Sequence, residues 1–360
     1  MSTPLRAVHQ LLGALHAGDA VGHEALAIRD SLRGAGHPSE IFAGFIDPEL
    51  TAPARPLSDY ASVSGPETVC LFHFAPGSPA TRLALGVCDR LALVFHNLTP
   101  PEFLAPFAAD VARAHVLGLT QLRAFASRAS LALAHSDFSR RDLVRAGFAE
   151  RARVLPFAVA LDEKRVAPAP VVRTLFSDGH TNLLFVGRVA PNKRIEDLLR
   201  VFAAYRRLAG KRNRLLLVGD TAGFPSYVRS LHALRRELRL EDVLFTGRVN
   251  AAELQAYYSV AAAFVCLSEH EGFGVPLVEA MLREVPVLAF DAAAVAETLL
   301  GGGVLLRDKR PALVAELLNE VLTQSALREA VLITQRRAVK QWRAIDFGAR
   351  LLSELRPLVA

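Results

Sequence analysis

Two glutamates, Glu271 and Glu279, stand eight residues apart around a glycine-bearing turn in Ser268–Phe290, which reads SEHEGFGVPLVEAMLREVPVLAF. The apolar run Ala262–Leu267 just before it predicts a buried strand. Pro276 suits the first turn of a helix, where its missing donor costs nothing. Gly272 and Gly274, flanking Phe273, permit backbone angles closed to other residues and let a ligand approach the peptide N–H groups. At such a helix start, here Gly274–Val275, the N–H groups and the dipole behind them attract anions. A carboxylate among those donors suits sugar or ribose hydroxyls rather than phosphate. A second strand-then-loop, LLFVGRVAPNKR over Leu183–Arg194, carries Arg188, a fork for phosphate oxygens, and Lys193, a mobile point charge. Taken alone, each segment is also what a tight turn or a strand end with surface bases looks like.

These residues need a scaffold, and the chain alternates short apolar runs with amphipathic stretches, the pattern of parallel sheets with crossover helices. In the first half the runs predict strands at Leu5–Leu11, Ser39–Ala43, Thr68–Phe74, Leu91–His96, Leu131–His135 and Arg153–Phe157. Helices are expected at Ala20–Leu32, Pro79–Val87, Pro101–Ala126 and Arg140–Ala146. The second half repeats the scheme with strands at Asn182–Val186, Arg214–Val218, Val243–Thr246, Ala262–Leu267, Val285–Phe290 and Gly303–Leu306. Its helix Arg194–Leu208 carries Leu198, Leu199 and Phe202 on one face. Two prolines and a Ser-Asp-Gly turn put the boundary in Val166–His180, and the tail Pro311–Ala360 reads as helical throughout. The expected organisation is a first Rossmann-like domain over residues 1–165, a second over 166–335, and a helix over 336–360 packing back towards the first. Two doubly wound α/β domains facing one another would line a central cleft with the carboxyl ends of their strands, where ligands bind in such sheets.

Composition excludes several classes. With 51% hydrophobic and 22% charged residues the chain is not disordered, and 360 residues suit two domains. The apolar runs are strand-length and far short of a membrane span, and no basic n-region with a long apolar stretch opens the chain. The expectation is a cytoplasmic protein, at most at the inner face of the membrane, with Arg113, Arg123 and Arg128 on a helix as the only basis for peripheral contact. Cys70, Cys88 and Cys266 are widely spaced without C-x-x-C, so neither a disulfide framework nor a zinc site is expected. The net charge of +6 arises almost entirely after residue 165, but no basic stripe with interleaved aromatics supports nucleic-acid binding. No G-x-G-x-x-G follows a strand, which argues against a dehydrogenase.

The Ser268–Phe290 segment as a whole resembles the E-x7-E signature of retaining glycosyltransferases of the GT-B fold, family four, with Glu271 and Glu279 as the two glutamates. The segment around Arg188 and Lys193 is similar to the family's G-R…K pattern, which holds the donor diphosphate. Val243–Val249 is similar to the strand and turn that pack around the donor base, which carries Val249 into the site. In the first half VHQL, GDAVG, FHFAPGS, FHNLTPPEFL and AHSDFSR occur in the order of a bacterial subgroup tied to polysaccharide and O-antigen assembly. The resemblance implies that Gly18 approaches the donor diphosphate and that His96, ending the fourth expected strand, contacts the transferred sugar. His73 follows similar logic, and His9, His135, Asn97 and Asp19 are further candidates. Arg283, Glu284 and Asp291 depart from the family pattern at the edge of the donor pocket.

What the resemblance implies is a retaining hexosyltransferase that takes a nucleotide-diphosphate sugar, GDP-mannose by preference, to a hydroxyl of a saccharide or lipid-linked saccharide in cell-surface polysaccharide assembly. Glu271 and His96 would be catalytic. Gly18, Arg188, Lys193, Val249, Gly272, Phe273, Gly274, Val275 and Glu279 would bind the donor, with Glu279 on the ribose. No D-x-D occurs, so no metal and no other cofactor is expected, and Arg188, Lys193 and the helix start must meet the leaving group's charge. The alternatives are a silent GT-B scaffold that binds sugar nucleotides or partner subunits, and another GT-B chemistry such as nucleotide-sugar epimerisation or phosphorolysis.

Overall fold

Runs such as Val69–His73 and Arg90–Phe95 carry too few polar residues to face water on either side, and strands buried on both faces belong in parallel sheets covered by helices. The computed structural model describes residues 6–16, 18–48, 50, 54–158, 166–210 and 212–359. Leu5, which heads the first expected strand, and residues 159–165, which end the first expected domain, lie outside them. The chain forms two units, one of residues 1–101, 110–159 and 345–360, the other of residues 102–109 and 160–344.

The first unit holds β1 (Val8–Leu12), β2 (Ile41–Ala43), β3 (Arg55–Pro56), β4 (Val69–His73), β5 (Arg90–Phe95), β6 (Leu131–Ala134) and β7 (Ala152–Val154). They lie in the order β3-β2-β1-β4-β5-β6-β7, parallel throughout. Successive residues of a strand face opposite sides. Here that alternation puts Phe72 and Phe95 in an aromatic layer with Phe125. Their neighbours Leu71 and Val94 face an aliphatic layer with Ile28, Leu351 and Leu355. The helix Phe347–Val359 closes that second layer, although it comes from the far end of the chain. Helix starts follow local chemistry: Asp19 accepts from Gly22 N at 2.6 Å to begin Ala20–Gly34, and Ser78 and Ser136 cap Pro79–Gly86 and Asp137–Arg145.

The second unit holds β8 (Thr181–Val186), β9 (Asn213–Val218), β10 (Val243–Gly247), β11 (Ala261–Cys266), β12 (Val287–Phe290) and β13 (Val304–Leu306). Their order is β10-β9-β8-β11-β12-β13, again all parallel. Both sheets are therefore doubly wound. The direction of winding reverses between β1 and β4 in one and between β8 and β11 in the other. The crevice beyond such a reversal is where open α/β sheets bind ligands.

Three expectations change. The single helix expected over Pro101–Ala126 is two, Pro101–Leu104 and Ala109–Arg128. Pro106 lies in the break, where it lacks an N–H for the helix ladder. The short stretch 102–109 belongs to the second unit, where the Phe107 ring meets Tyr227 at 5.0 Å and its carbonyl accepts from Ser226 Oγ at 2.8 Å. The expected boundary segment Val166–His180 contains a helix, Pro170–Phe176, started by its second proline. The tail is three helices, Pro311–Thr323, Ser325–Arg343 and Phe347–Val359. Among the described residues no helix is long and apolar enough to cross a membrane.

Candidate functional site

β8 and β11 are hydrogen-bonded neighbours on either side of the reversal, so the loops that follow them emerge side by side. The loop after β8 makes a short 3-10 turn, Pro191–Lys193, before Arg194 (φ 53°) turns the chain into helix Ile195–Ala209. The loop after β11 carries Glu269 to Gly274. Buried Asn192 joins the two: its side-chain amide donates to His270 O at 2.9 Å and its carbonyl accepts from Glu269 N at 2.9 Å. This seam brings Lys193 Nζ to 2.6 Å from each Glu271 oxygen, with the side chains 19% and 11% exposed. A cation and a carboxylate thus lie together at the switch point, screened from most of the solvent. Burial, helped by the Glu271 charge, pushes the neighbouring Cys266 thiol up to about 11.

Behind the pair, Gly274 is the residue before helix Val275–Leu282 and takes φ 94°, ψ 56°, a left-handed conformation that favours glycine. Among the described residues no side chain caps this helix. Phe273 is buried against Trp342, edge to face at 5.3 Å, and its carbonyl accepts from Thr298 Oγ1. Trp342 Nε1 in turn donates to Thr298 O at 3.0 Å, so the last turns of Ser325–Arg343 brace the glycine turn. Glu279 sits half-buried one turn into the helix, and Tyr258 Oη donates to its Oε2 at 2.9 Å. Burial, with the Glu279 charge added, raises the Tyr258 phenol well above its usual range, which keeps it a donor. Arg283, a departure from the family pattern, lies over the Tyr258 ring at 4.7 Å and donates to Glu279 O at 2.8 Å. It fixes the residue that holds Glu279.

Arg188 does not join the Lys193–Glu271 pair. It is exposed, with its guanidinium 5.7 Å from the centre of the Phe224 ring. Val249 is half-buried in the loop after β10, the edge strand two places from β8. Gly18 is in the first unit, exposed, at φ 73° in the turn before Asp19.

His96 follows β5, the fifth strand and not the fourth, because two-residue β3 carries no pattern that announces it. His96 Nε2 lies 2.9 Å from His73 Nδ1, and its Nδ1 lies 3.2 Å from His135 Nε2 and 3.6 Å from Glu24 Oε2. Burial holds His96 well below its usual range and takes His73 to about 3. His135 is raised: burial opposes its charge, but the Glu24 carboxylate and the Leu155 carbonyl outweigh it. Both His96 nitrogens are thus turned to partners within the unit.

Several of these residues were not foreseen. Asn192, Tyr258 and Glu24 have no motif of their own. Glu24 does leave a trace, as a carboxylate on the buried face that Ala25, Ile28 and Leu32 give helix Ala20–Gly34. Lys309, which bridges Asp197 at 2.9 Å and also pairs with Glu269, comes from far along the chain and had no signal at all.

Residues 172–337 match the family described as glycosyl transferases group 1. The chain is 31% identical over 237 residues to D-inositol 3-phosphate glycosyltransferase of Kineococcus radiotolerans, covering 60% of this chain and 54% of that one. It is 37% identical over 120 residues to GDP-mannose-dependent alpha-mannosyltransferase of Mycolicibacterium smegmatis, covering 33% and 28%. It is 28% identical over 182 residues to O-antigen chain mannosyltransferase B of Escherichia coli, covering 49% and 47%. The chain thus spans about half or less of the length of these relatives. Among solved structures, sucrose-phosphate synthase from Thermosynechococcus elongatus shares the fold with a TM-score of 0.77 at 20% identity, over 98% of this chain and 99% of that one.

Proposed function

We propose, from the match of residues 172–337 to the group 1 glycosyl transferases and from the shared fold, that the chain is a GT-B glycosyltransferase that moves a hexose from a nucleotide-diphosphate sugar to a hydroxyl of a saccharide or lipid-linked saccharide, with retention of configuration. The observation that carries this reading is the Lys193–Glu271 pair at the switch point of the second sheet. A diphosphate arriving there meets a cation at the end of a flexible stem, the approach to the uncapped helix start at Val275, and the fork of Arg188 within its loop. Fixed charge of this kind at a developing anion is commonly the largest catalytic contribution. Glu271 then faces the sugar, where its carboxylate receives hydroxyl donors and stabilises the positive charge that grows on the ring. Glu279, aimed by Tyr258, takes the ribose hydroxyls.

In the proposed step the bond from the anomeric carbon to the diphosphate oxygen breaks, and its electron pair leaves with the nucleotide. The acceptor oxygen bonds to the same face of the sugar, and its proton passes to an oxygen of the departing diphosphate. No metal is assigned to the diphosphate, since Lys193 and Arg188 supply its counter-charge. A contact from His96 to the sugar would require one of its nitrogens to leave His73 or the Glu24–His135 side.

GDP-mannose is the preferred donor, in keeping with the named activity of the Mycolicibacterium relative, and a growing cell-surface saccharide the preferred acceptor, in keeping with the Escherichia relative. The Kineococcus relative brings in a phosphorylated cyclitol as the rival acceptor. The test is to incubate the chain with GDP-mannose, UDP-glucose or UDP-N-acetylglucosamine and each acceptor class, without added Mg2+ or Mn2+, and to read the product anomer by NMR. An α-mannoside, lost in Lys193→Ala, is the expected result. A β-linked product from the α-linked donor would sink the retaining mechanism. Folded protein that binds a nucleotide sugar without transfer, or binds no nucleotide at all, would leave the silent scaffold as the better reading, nucleotide-binding in the first case and partner-binding in the second.

A further inference from the structure

Three side chains of the first unit converge from three separate elements: Glu24 from helix Ala20–Gly34, His96 from the end of β5 and His135 from the end of β6. Glu24 is fully buried, and its carboxylate faces the rings of His135 and His96. A buried carboxylate in that condition needs a positive partner. Its Oε2 lies 3.2 Å from His135 Nε2 and 3.6 Å from His96 Nδ1, and those two nitrogens lie 3.2 Å from each other.

The hydrogen bonds around the cluster fix which ring nitrogens carry protons. Gln10 Nε2 donates to Ala25 O at 2.9 Å, so Gln10 Oε1 is the atom facing His73 Nε2 at 2.9 Å and must accept from it. His73, protonated there, presents a bare Nδ1 to His96 Nε2 at 2.9 Å, which must therefore donate. That leaves His96 Nδ1 as a lone pair aimed at Glu24 and His135. On the other side, His135 Nδ1 donates to Leu155 O at 3.2 Å, which leaves His135 Nε2 facing the same point. A metal ion that displaces the proton between Glu24 and His135 Nε2 would thus meet three lone pairs in one small volume. Ligands held 2.0–2.1 Å from a tetrahedral zinc stand about 3.3–3.4 Å apart, close to the three separations seen. Orientation of each ligating imidazole through its other nitrogen, to a carbonyl or a side-chain acceptor, is the usual support of a metal-bound histidine.

We propose that Glu24, His96 and His135 bind one divalent transition-metal ion of the zinc type, with a fourth position open on the side of His96. The His96 side chain is 15% exposed against 4% for His135 and none for Glu24, so entry is by way of His96. Mixed nitrogen and oxygen ligands of this kind suit Zn2+ or Co2+ rather than Mg2+ or Ca2+, which prefer all-oxygen sites. The ion would tie the ends of β5 and β6 to the helix and hold the His96 ring in place. It is a site of the first unit and does not depend on the sugar-transfer reading of the second.

The test uses the full chain without an affinity tag, stripped with a chelator, returned to metal-free buffer and titrated with Co2+. Expected are the visible absorption bands of four-coordinate Co2+, saturating at one ion per chain and displaced by Zn2+. Glu24→Gln and His135→Gln, on different elements so that a folding failure in one leaves the other, each weaken binding by more than about a hundredfold. His23→Gln, exposed on the same helix, leaves it unchanged. Folded wild-type protein that gives no Co2+ spectrum would mean that a proton alone holds the cluster together, and would overturn the proposal. So would binding by both ligand variants as tight as that of the wild type.

Discussion

Lys193 and Glu271 neutralise each other before any ligand arrives, with Nζ at 2.6 Å from both carboxylate oxygens. A diphosphate must therefore compete with Glu271 for the ammonium. That competition separates binding from catalysis at a single residue. In Glu271→Gln the side chain keeps its shape but releases the full charge of Lys193. Free GDP should then bind more tightly than to wild type by calorimetry, while turnover falls by about 10²–10³ because the ring's positive charge loses its carboxylate. Weaker GDP binding with turnover unchanged would place Glu271 outside the reaction. The two partners were legible in the sequence because each follows a strand in a loop of distinctive composition. Their pairing was not, since 78 residues separate them and only the adjacency of β8 and β11 brings them together. Asn192 and Tyr258 stayed hidden for a related reason: an amide and a phenol are common in cores, and their effect here comes from neighbours that no local pattern names.

At the scale of elements, β8 and β9 run on past the sheet as two crossing glycines. Gly219 takes φ 146°, and a Cβ there would stand 2.2 Å from Gly187 O, which is backbone and cannot swing aside. The loop that carries Arg188 and Lys193 leaves the sheet at this contact. Gly219→Ala should thus cost more than about 2 kcal/mol, through strain together with displacement of the β8 end. Nucleotide affinity should fall as well, read by a lower melting temperature and by calorimetry. Gly34→Ala, at the end of helix Ala20–Gly34 with open space around its Cβ position, is the control expected to leave both nearly unchanged. An equal, small effect at both glycines would count against a tight crossing. Most strands could be read from sequence because burial on both faces leaves uninterrupted apolar runs. The exceptions are instructive. β3 is only Arg55–Pro56, too short for any period, and the Pro101–Ala126 helix broke where Pro106 removes a ladder bond. The order of the strands within each sheet was legible only as a class, doubly wound, because pairing is decided by contacts far apart in sequence.

At the scale of the molecule, each unit buries acids that ionise only at high pH. Burial pushes the Cys70 thiol in the first unit to about 12 and the Cys266 thiol in the second to about 11, from 9.0 in an open chain. Burial also raises the phenols of Tyr60, Tyr227 and Tyr258 above their usual 10.0. In the folded state these groups keep their protons, whereas in the unfolded chain the thiols release theirs from about pH 9 upward. The unfolded state therefore binds fewer protons above that point, and stability falls as pH rises. Each group costs about 1.4 kcal/mol per pH unit until its folded value is reached. The single Trp342, buried in the second unit, lets that unit be followed alone. Urea unfolding monitored by Trp342 fluorescence should show a stability that declines between about pH 9 and about pH 11, with a shallower decline in Cys266→Ala. Cys70→Ala, in the other unit, should leave the Trp342 transition as it was. A thiol reagent at neutral pH should meanwhile label only exposed Cys88 in the folded chain and all three cysteines in urea. A flat alkaline profile, or rapid labelling of Cys266 in the folded chain, would mean that the strand ends around Glu271 open to water, and the screened pair that the transfer mechanism relies on would be lost with them.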